Sequence, residues 1–65
     1  MMFVEIDKAR AELGLTAWEL CRRAGVHPAS YSQWRTGGRD PRQSSLKRLT
    51  SAIEELRQER REAAG

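Results

Sequence analysis

Cys21 and His27 are the residues to weigh first, because a thiol and an imidazole can serve as nucleophile and base, or as two ligands of a metal. They straddle a predicted helix end, no third group follows to orient the imidazole, and a buried cysteine is ordinarily a packing residue. One Cys and one His also fall short of the four ligands of a structural zinc site, and a single Cys cannot form an internal disulfide. The sequence has no phosphate loop and no paired acids in a plausible cleft. The expectation is a protein that is not an enzyme, with no catalytic residue, no metal and no cofactor.

What remains is charge and its distribution. The net charge of +3 is a mild bias, but between Arg22 and Arg48 seven basic side chains face a single acid, Asp40, a local net of +6 that leaves the flanks at −3. A basic middle in a neutral-to-acidic frame is the footprint of a face that meets phosphates.

The elements that must position these charges are short. A chain of 65 residues with 38% hydrophobic and 32% charged residues can bury one thin core, so a single domain spanning 1–65 is expected. No segment alternates long enough for a strand, and no apolar run approaches the roughly 20 residues of a membrane span. The start MMFVEIDKARAEL carries acids where a signal peptide needs an apolar stretch, which with the lone Cys predicts a soluble cytoplasmic protein with no membrane partner.

Four helices are predicted. Phe3, Ile6, Ala9 and Leu13 share one face of a first helix that stops at Gly14. Thr16-Ala-Trp-Glu19 matches a capping box and opens a second helix that runs to Ala24 and ends at Gly25. Pro28 suits the first position of a third helix reaching Thr36, with Tyr31 and Trp34 turned to the core and Gly37-Gly38 as its stop. After the loop Arg39 to Gln43, Ser44 or Ser45 is expected to cap a last helix to about Ala63.

Two short helices joined by a tight glycine turn, the second exposing small polar residues and followed by arginines, is a physical recipe for setting a helix in the major groove. The run LGLTAWELCRRAGVHPASYSQWRTGGRDP with the later SLKRLTSAI resembles the lambda repressor and Cro-like helix-turn-helix family over Ile6 to Ile53, the motif itself lying at about 16–37. The resemblance implies an all-α, four-helix lambda-repressor-like domain with a long C-terminal helix. It further implies sequence-specific binding of double-stranded DNA and regulation of transcription, as a repressor of phage or phage-derived genes in a bacterial or phage-encoded, nucleoid-associated setting.

The same resemblance assigns residues. Cys21 lets two helices cross closely, Val26 plugs the turn, and Tyr31 and Trp34 anchor the recognition helix. Pro28, Ala29, Ser32, Gln33 and Thr36 match groove-facing positions, and Thr16 and Ala17 match the helix start that lies near a phosphate. Base contacts are expected from Gln33, Ser32, Ala29 and Pro28, with Gln33 able to pair bidentately with adenine and Ala29 able to touch a thymine methyl. Backbone contacts are expected from Thr16, Ala17, His27, Ser30, Arg35, Thr36, Arg39 and Arg42. Sparse hydrogen-bonding capacity at Pro28 and Ala29 leaves part of the specificity to DNA shape.

The departures from the pattern leave alternatives open. His27 is a helix-start residue, a phosphate contact or an uninvolved surface residue. Trp18 stands where a polar residue is usual, with a brace for the first helix, a phosphate contact and a dimer contact all available to it. Arg35 stands where the family commonly has an acid paired with the position of Arg10, so its expected partner is an acid such as Glu12, or DNA. The usual fifth helix is missing, and Leu46, Leu49, Ile53 and Leu56 recur at helical spacing. Either Ile53 and Leu56 pair with a second subunit, giving a homodimer on a palindromic operator with half-sites about 34 Å apart, or the repeat closes the chain's own core. A second function class is an antitoxin-like adaptor using the last helix and Trp18 against a partner protein. A winged excisionase-like fold is disfavoured, since nothing after Gly38 reads as a hairpin.

Overall fold

The computed structural model describes residues 1–64 and contains four helices, α1 (Phe3–Glu12), α2 (Ala17–Ala24), α3 (Pro28–Thr36) and α4 (Gln43–Ala64). Gly65, the last residue of the expected 1–65 domain, lies outside the described residues. Among the described residues no strand occurs, and no helix is long and apolar enough to cross a membrane.

Local chemistry sets most of the boundaries. At the start of α1 the Met2 N–H donates to the Glu5 carboxylate at 3.0 Å. The Thr16 box forms in full, the Glu19 N–H donating to Thr16 Oγ1 at 3.1 Å and the Thr16 N–H to Glu19 Oε1 at 3.3 Å. Helix α2 ends on Gly25 at φ 72°, where the Val26 N–H returns to the Cys21 carbonyl at 2.9 Å. A Cβ at Gly25 would touch nothing within 4 Å, so glycine is required there by the backbone angle and not by room. His27 then caps α3 with its imidazole, Nδ1 accepting from the Ala29 N–H at 3.1 Å, and Pro28 follows at the first helical position.

The start of α4 differs from expectation. The Leu46 N–H bonds to the Arg42 carbonyl at 3.0 Å, so the helix opens at Gln43 and both Ser44 and Ser45 sit inside its first turn. The reason is packing: Leu46 is drawn against the core, and the backbone enters the helix as soon as it leaves Pro41.

The core is built from Ile6, Ala9, Leu20, Cys21, Tyr31, Leu49, Ala52 and Ile53. Helix α4 packs against both α1 and α2, while α3 packs against α2. Ala9, Cys21 and Ala52 keep those crossings close because they add little bulk. An aromatic cluster joins α3 to α1, with the Phe3 ring edge-on to Tyr31 at 4.9 Å and to Trp34 at 5.9 Å. Two arginines of α4 also close the ends of other helices: Arg48 Nη1 donates to the Gly25 carbonyl and Arg60 Nη1 to the Glu12 carbonyl, both at 3.4 Å. Each places a cation at the negative end of a helix dipole.

Ile53 is therefore not available to a second subunit. It is fully buried in the core of its own chain, because the 3, 4, 3 spacing that suggested a pairing stripe turns Leu49 and Ile53 onto α1 and α2. Leu56 is half-buried against the same cluster.

Candidate nucleic-acid interface

Helix α3 presents two faces of opposite character. Tyr31 is buried and Trp34 half-buried, whereas Pro28, Ala29, Ser32, Gln33 and Thr36 are all exposed along the other side. Ser30 lies at the boundary, half-buried. The Thr36 hydroxyl is spent within its own helix, donating to the Ser32 and Gln33 carbonyls at 3.2 and 3.3 Å, which leaves it only an acceptor to offer. At the start of α2 the Thr16 hydroxyl is likewise engaged, donating to Glu19 Oε1 at 3.0 Å while accepting from the Glu19 N–H. Ala17 is half-buried against the core, so what it can present outward is the unpaired N–H of a first-turn residue.

Between the end of α3 and the start of α4 the chain forms an open polar groove lined by Ser30, Gln33, Trp34, Arg39, Asp40, Arg42 and Ser45. Two exposed guanidinium groups and the Gln33 amide thus line one groove. A phosphate held by Arg39 or Arg42 would lie beside whatever Gln33 touches. Ser45 belongs to this groove and was read from sequence only as a cap. No local signal could place it there, because its approach to Gln33 depends on how α3 and α4 meet.

A second constellation lies on the opposite flank of α3. The Tyr31 hydroxyl donates to Asp7 Oδ1 at 2.7 Å, Arg10 Nε donates to the same oxygen at 3.0 Å, and Arg35 Nε stands 4.0 Å from Asp7 Oδ2. Arg10 Nη1 continues to the Leu15 carbonyl at 2.6 Å. Arg35 is therefore paired with Asp7 and not with Glu12, because the turn of α3 that carries Tyr31 and Arg35 lies against the Asp7 level of α1. Sequence reading missed Asp7. The available signal was Tyr31 itself, since a buried tyrosine hydroxyl needs a partner.

A family model described as helix-turn-helix matches residues 6–56. The chain belongs to that family, the lambda-repressor-like helix-turn-helix proteins. No curated protein and no solved structure matches it. It is a DNA-binding helix-turn-helix protein of the transcription-regulator kind, a family that is generally non-enzymatic.

In this helix-turn-helix protein the basic middle segment is not one free face. Arg23 is held by Glu55 at 3.8 Å and by Glu59, Arg35 by Asp7, and Arg48 by the Gly25 carbonyl. Arg22 lies over the Trp18 ring at 5.3 Å, and Trp18 is 57% exposed. Arg39, Arg42 and Lys47 are exposed and form no ion pair among the described residues. Cys21 is fully buried, and burial pushes its thiol up, which keeps it protonated and unreactive.

Burial alone would raise the Asp7 carboxyl, but the hydrogen bonds from Tyr31 and Arg10 and the charges of Arg10 and Arg35 outweigh it and hold the group below its ordinary value of 3.8. Burial, together with the same contact, raises the Tyr31 hydroxyl well above its usual range. A carboxyl whose folded value lies below its unfolded one stabilises the fold fully above the unfolded value. That contribution is lost as pH falls through the folded value. Acid titration followed by circular dichroism should accordingly show wild type losing stability below about pH 4, with Asp7→Asn less stable at neutral pH and flatter through that window. Parallel acid limbs for the two proteins would show that Asp7 titrates as it does in the unfolded chain.

Proposed function

We propose that this protein binds a specific duplex site by laying α3 in the major groove, and represses phage or phage-derived genes from the bacterial cytoplasm. The observation that carries this reading is the groove shared by Gln33, Arg39 and Arg42, which sets a base-reading amide beside two cations that form no ion pair among the described residues, although Asp40 lines it too. In it Gln33 reads adenine, Ser32, Ala29 and Pro28 shape the fit to neighbouring bases, and Arg39 and Arg42 grip the backbone. His27 and Ser30, with the first-turn N–H of Ala17, complete the phosphate contacts, and Thr16 and Thr36 join them by turning their hydroxyls from Glu19 and from the Ser32 and Gln33 carbonyls toward a phosphate. Arg35, half-exposed beside Asp7, is a marginal member of that set.

The operator is proposed to be palindromic and bound by two copies of the chain. Of the two candidates, Leu56 and not Ile53 has surface left to contribute. The adaptor alternative keeps little of its α4 surface, since Leu49 and Ile53 are taken up by the core and Leu46 and Leu56 are half-buried against it. Trp18 remains to favour it.

Selection of bound sites from random duplexes tests the reading, and is expected to return a two-fold symmetric sequence with half-sites about one helical turn apart. On that sequence Gln33→Ala should cost about 1–3 kcal/mol and relax the preference at one base pair per half-site. Unenriched pools, or a Gln33→Ala variant with an unchanged site preference, would remove it.

A further inference from the structure

Apart from their own helix and its cap, the side chains of α3 meet one polar centre among the described residues, the carboxylate of Asp7 with the Arg10 guanidinium that it holds beside Tyr31. Every other contact that seats α3 is apolar, through Tyr31, Trp34 and their neighbours. Apolar contacts hold a helix in place but tolerate small rotations and slides, whereas a hydrogen bond of 2.7 Å to a charged acceptor fixes a direction. Asp7 uses both of its oxygens on α3, Oδ1 for Tyr31 and Oδ2 for Arg35. Through Arg10 the same carboxylate reaches the Leu15 carbonyl, immediately before the Thr16 cap of α2. One group on α1 thus references both helices of the motif, and Tyr31 stands two positions from Gln33.

We infer that Asp7 is a positioning residue for DNA recognition, fixing the rotation of α3 through Tyr31 and Arg35 so that Gln33 meets its base while Arg39 and Arg42 hold the backbone. It touches no DNA itself. The inference rests on the DNA-binding reading above, and it deepens it by assigning specificity to a residue on the far side of the recognition helix.

The test compares the full chain with Asp7→Asn, Tyr31→Phe and the double variant, each at a temperature where thermal melts show it folded. Affinities are measured for the selected duplex and for a scrambled one. The ratio of the two is expected to fall about tenfold in Asp7→Asn, as for a misplaced bidentate base contact. Affinity for the scrambled duplex should hold or rise slightly, because a negative charge has been removed. The double variant should lose no more than the larger single, since both act through one contact. A folded Asp7→Asn with the wild-type ratio overturns the inference, for a purely stabilising role would leave the ratio untouched. Should Asp7→Asn not fold, Tyr31→Phe, which removes a single hydroxyl, carries the same comparison. If wild type binds no duplex at all, the DNA-binding reading fails instead. Residual dipolar couplings of the free protein then decide the positioning alone, and an α3 orientation unchanged in the variants overturns it.

Discussion

Ile53→Ala is expected to leave much of the protein unfolded at 37 °C, whereas Leu56→Ala should lower its melting temperature by only a few degrees. Ile53 is fully buried where α4 meets the rest of the core, so the substitution removes apolar contacts and leaves a cavity, a loss of about 2–5 kcal/mol. A domain of this size holds only about 3–10 kcal/mol in total. At roughly 4–8 °C per kcal/mol the melting temperature should drop by about 10–40 °C. Leu56 is half-buried and has less to lose, about 1 kcal/mol. Thermal denaturation of both variants checks this, and equal losses would mean that α4 does not sit as described.

The second large effect concerns the free cations. Arg39→Ala with Arg42→Ala should weaken binding to every duplex alike, by one to two orders of magnitude near 0.1 M salt. Each lost phosphate contact removes about 0.9 from the slope of log affinity against log salt, so the double variant should show a slope shallower by about two. The preference between selected and scrambled sites should be nearly unchanged, since phosphate contacts carry no sequence information. Arg23→Ala is the instructive control. It removes the same charge, but Arg23 is held by Glu55 and Glu59 on α4, and its loss should leave the slope close to wild type. Salt titrations of binding separate the two cases. A slope lost equally from Arg23 and from the Arg39/Arg42 pair would show that net charge alone governs association.

The pairing of Arg23 with Glu55 and Glu59 is one reason charge counting along the chain is incomplete. The seven basic residues from Arg22 to Arg48 read as one electropositive stretch. Folding sorts them: Arg23, Arg35 and Arg48 are turned to partners on other helices, and Arg39, Arg42 and Lys47 stay open. The acids that neutralise them lie far away in sequence, Asp7 near one end and Glu59 near the other, so no local window could pair them. The stripe Leu46, Leu49, Ile53 and Leu56 was ambiguous for a related reason. Periodicity says that a helix has an apolar side, but not whether the surface covering it belongs to the same chain or to another.

The order of the helices, the ends of α2 and the start of α3 were determined by the sequence alone, because caps, prolines and glycines act over three or four residues: Thr16 with Glu19, His27 with Pro28, and the positive φ at Gly25 are local events, whereas the start of α4 was not. The family resemblance rested on the same short-range motif, and the outward set of α3 was implied by that resemblance. Only the tertiary structure decided that Ile53 is core, that Arg35 answers to Asp7, and that Ser45 joins Gln33, Arg39 and Arg42 in one groove. Those outcomes depend on which helices meet and at what rotation, a choice made by burial of the whole apolar set at once rather than by any stretch of chain.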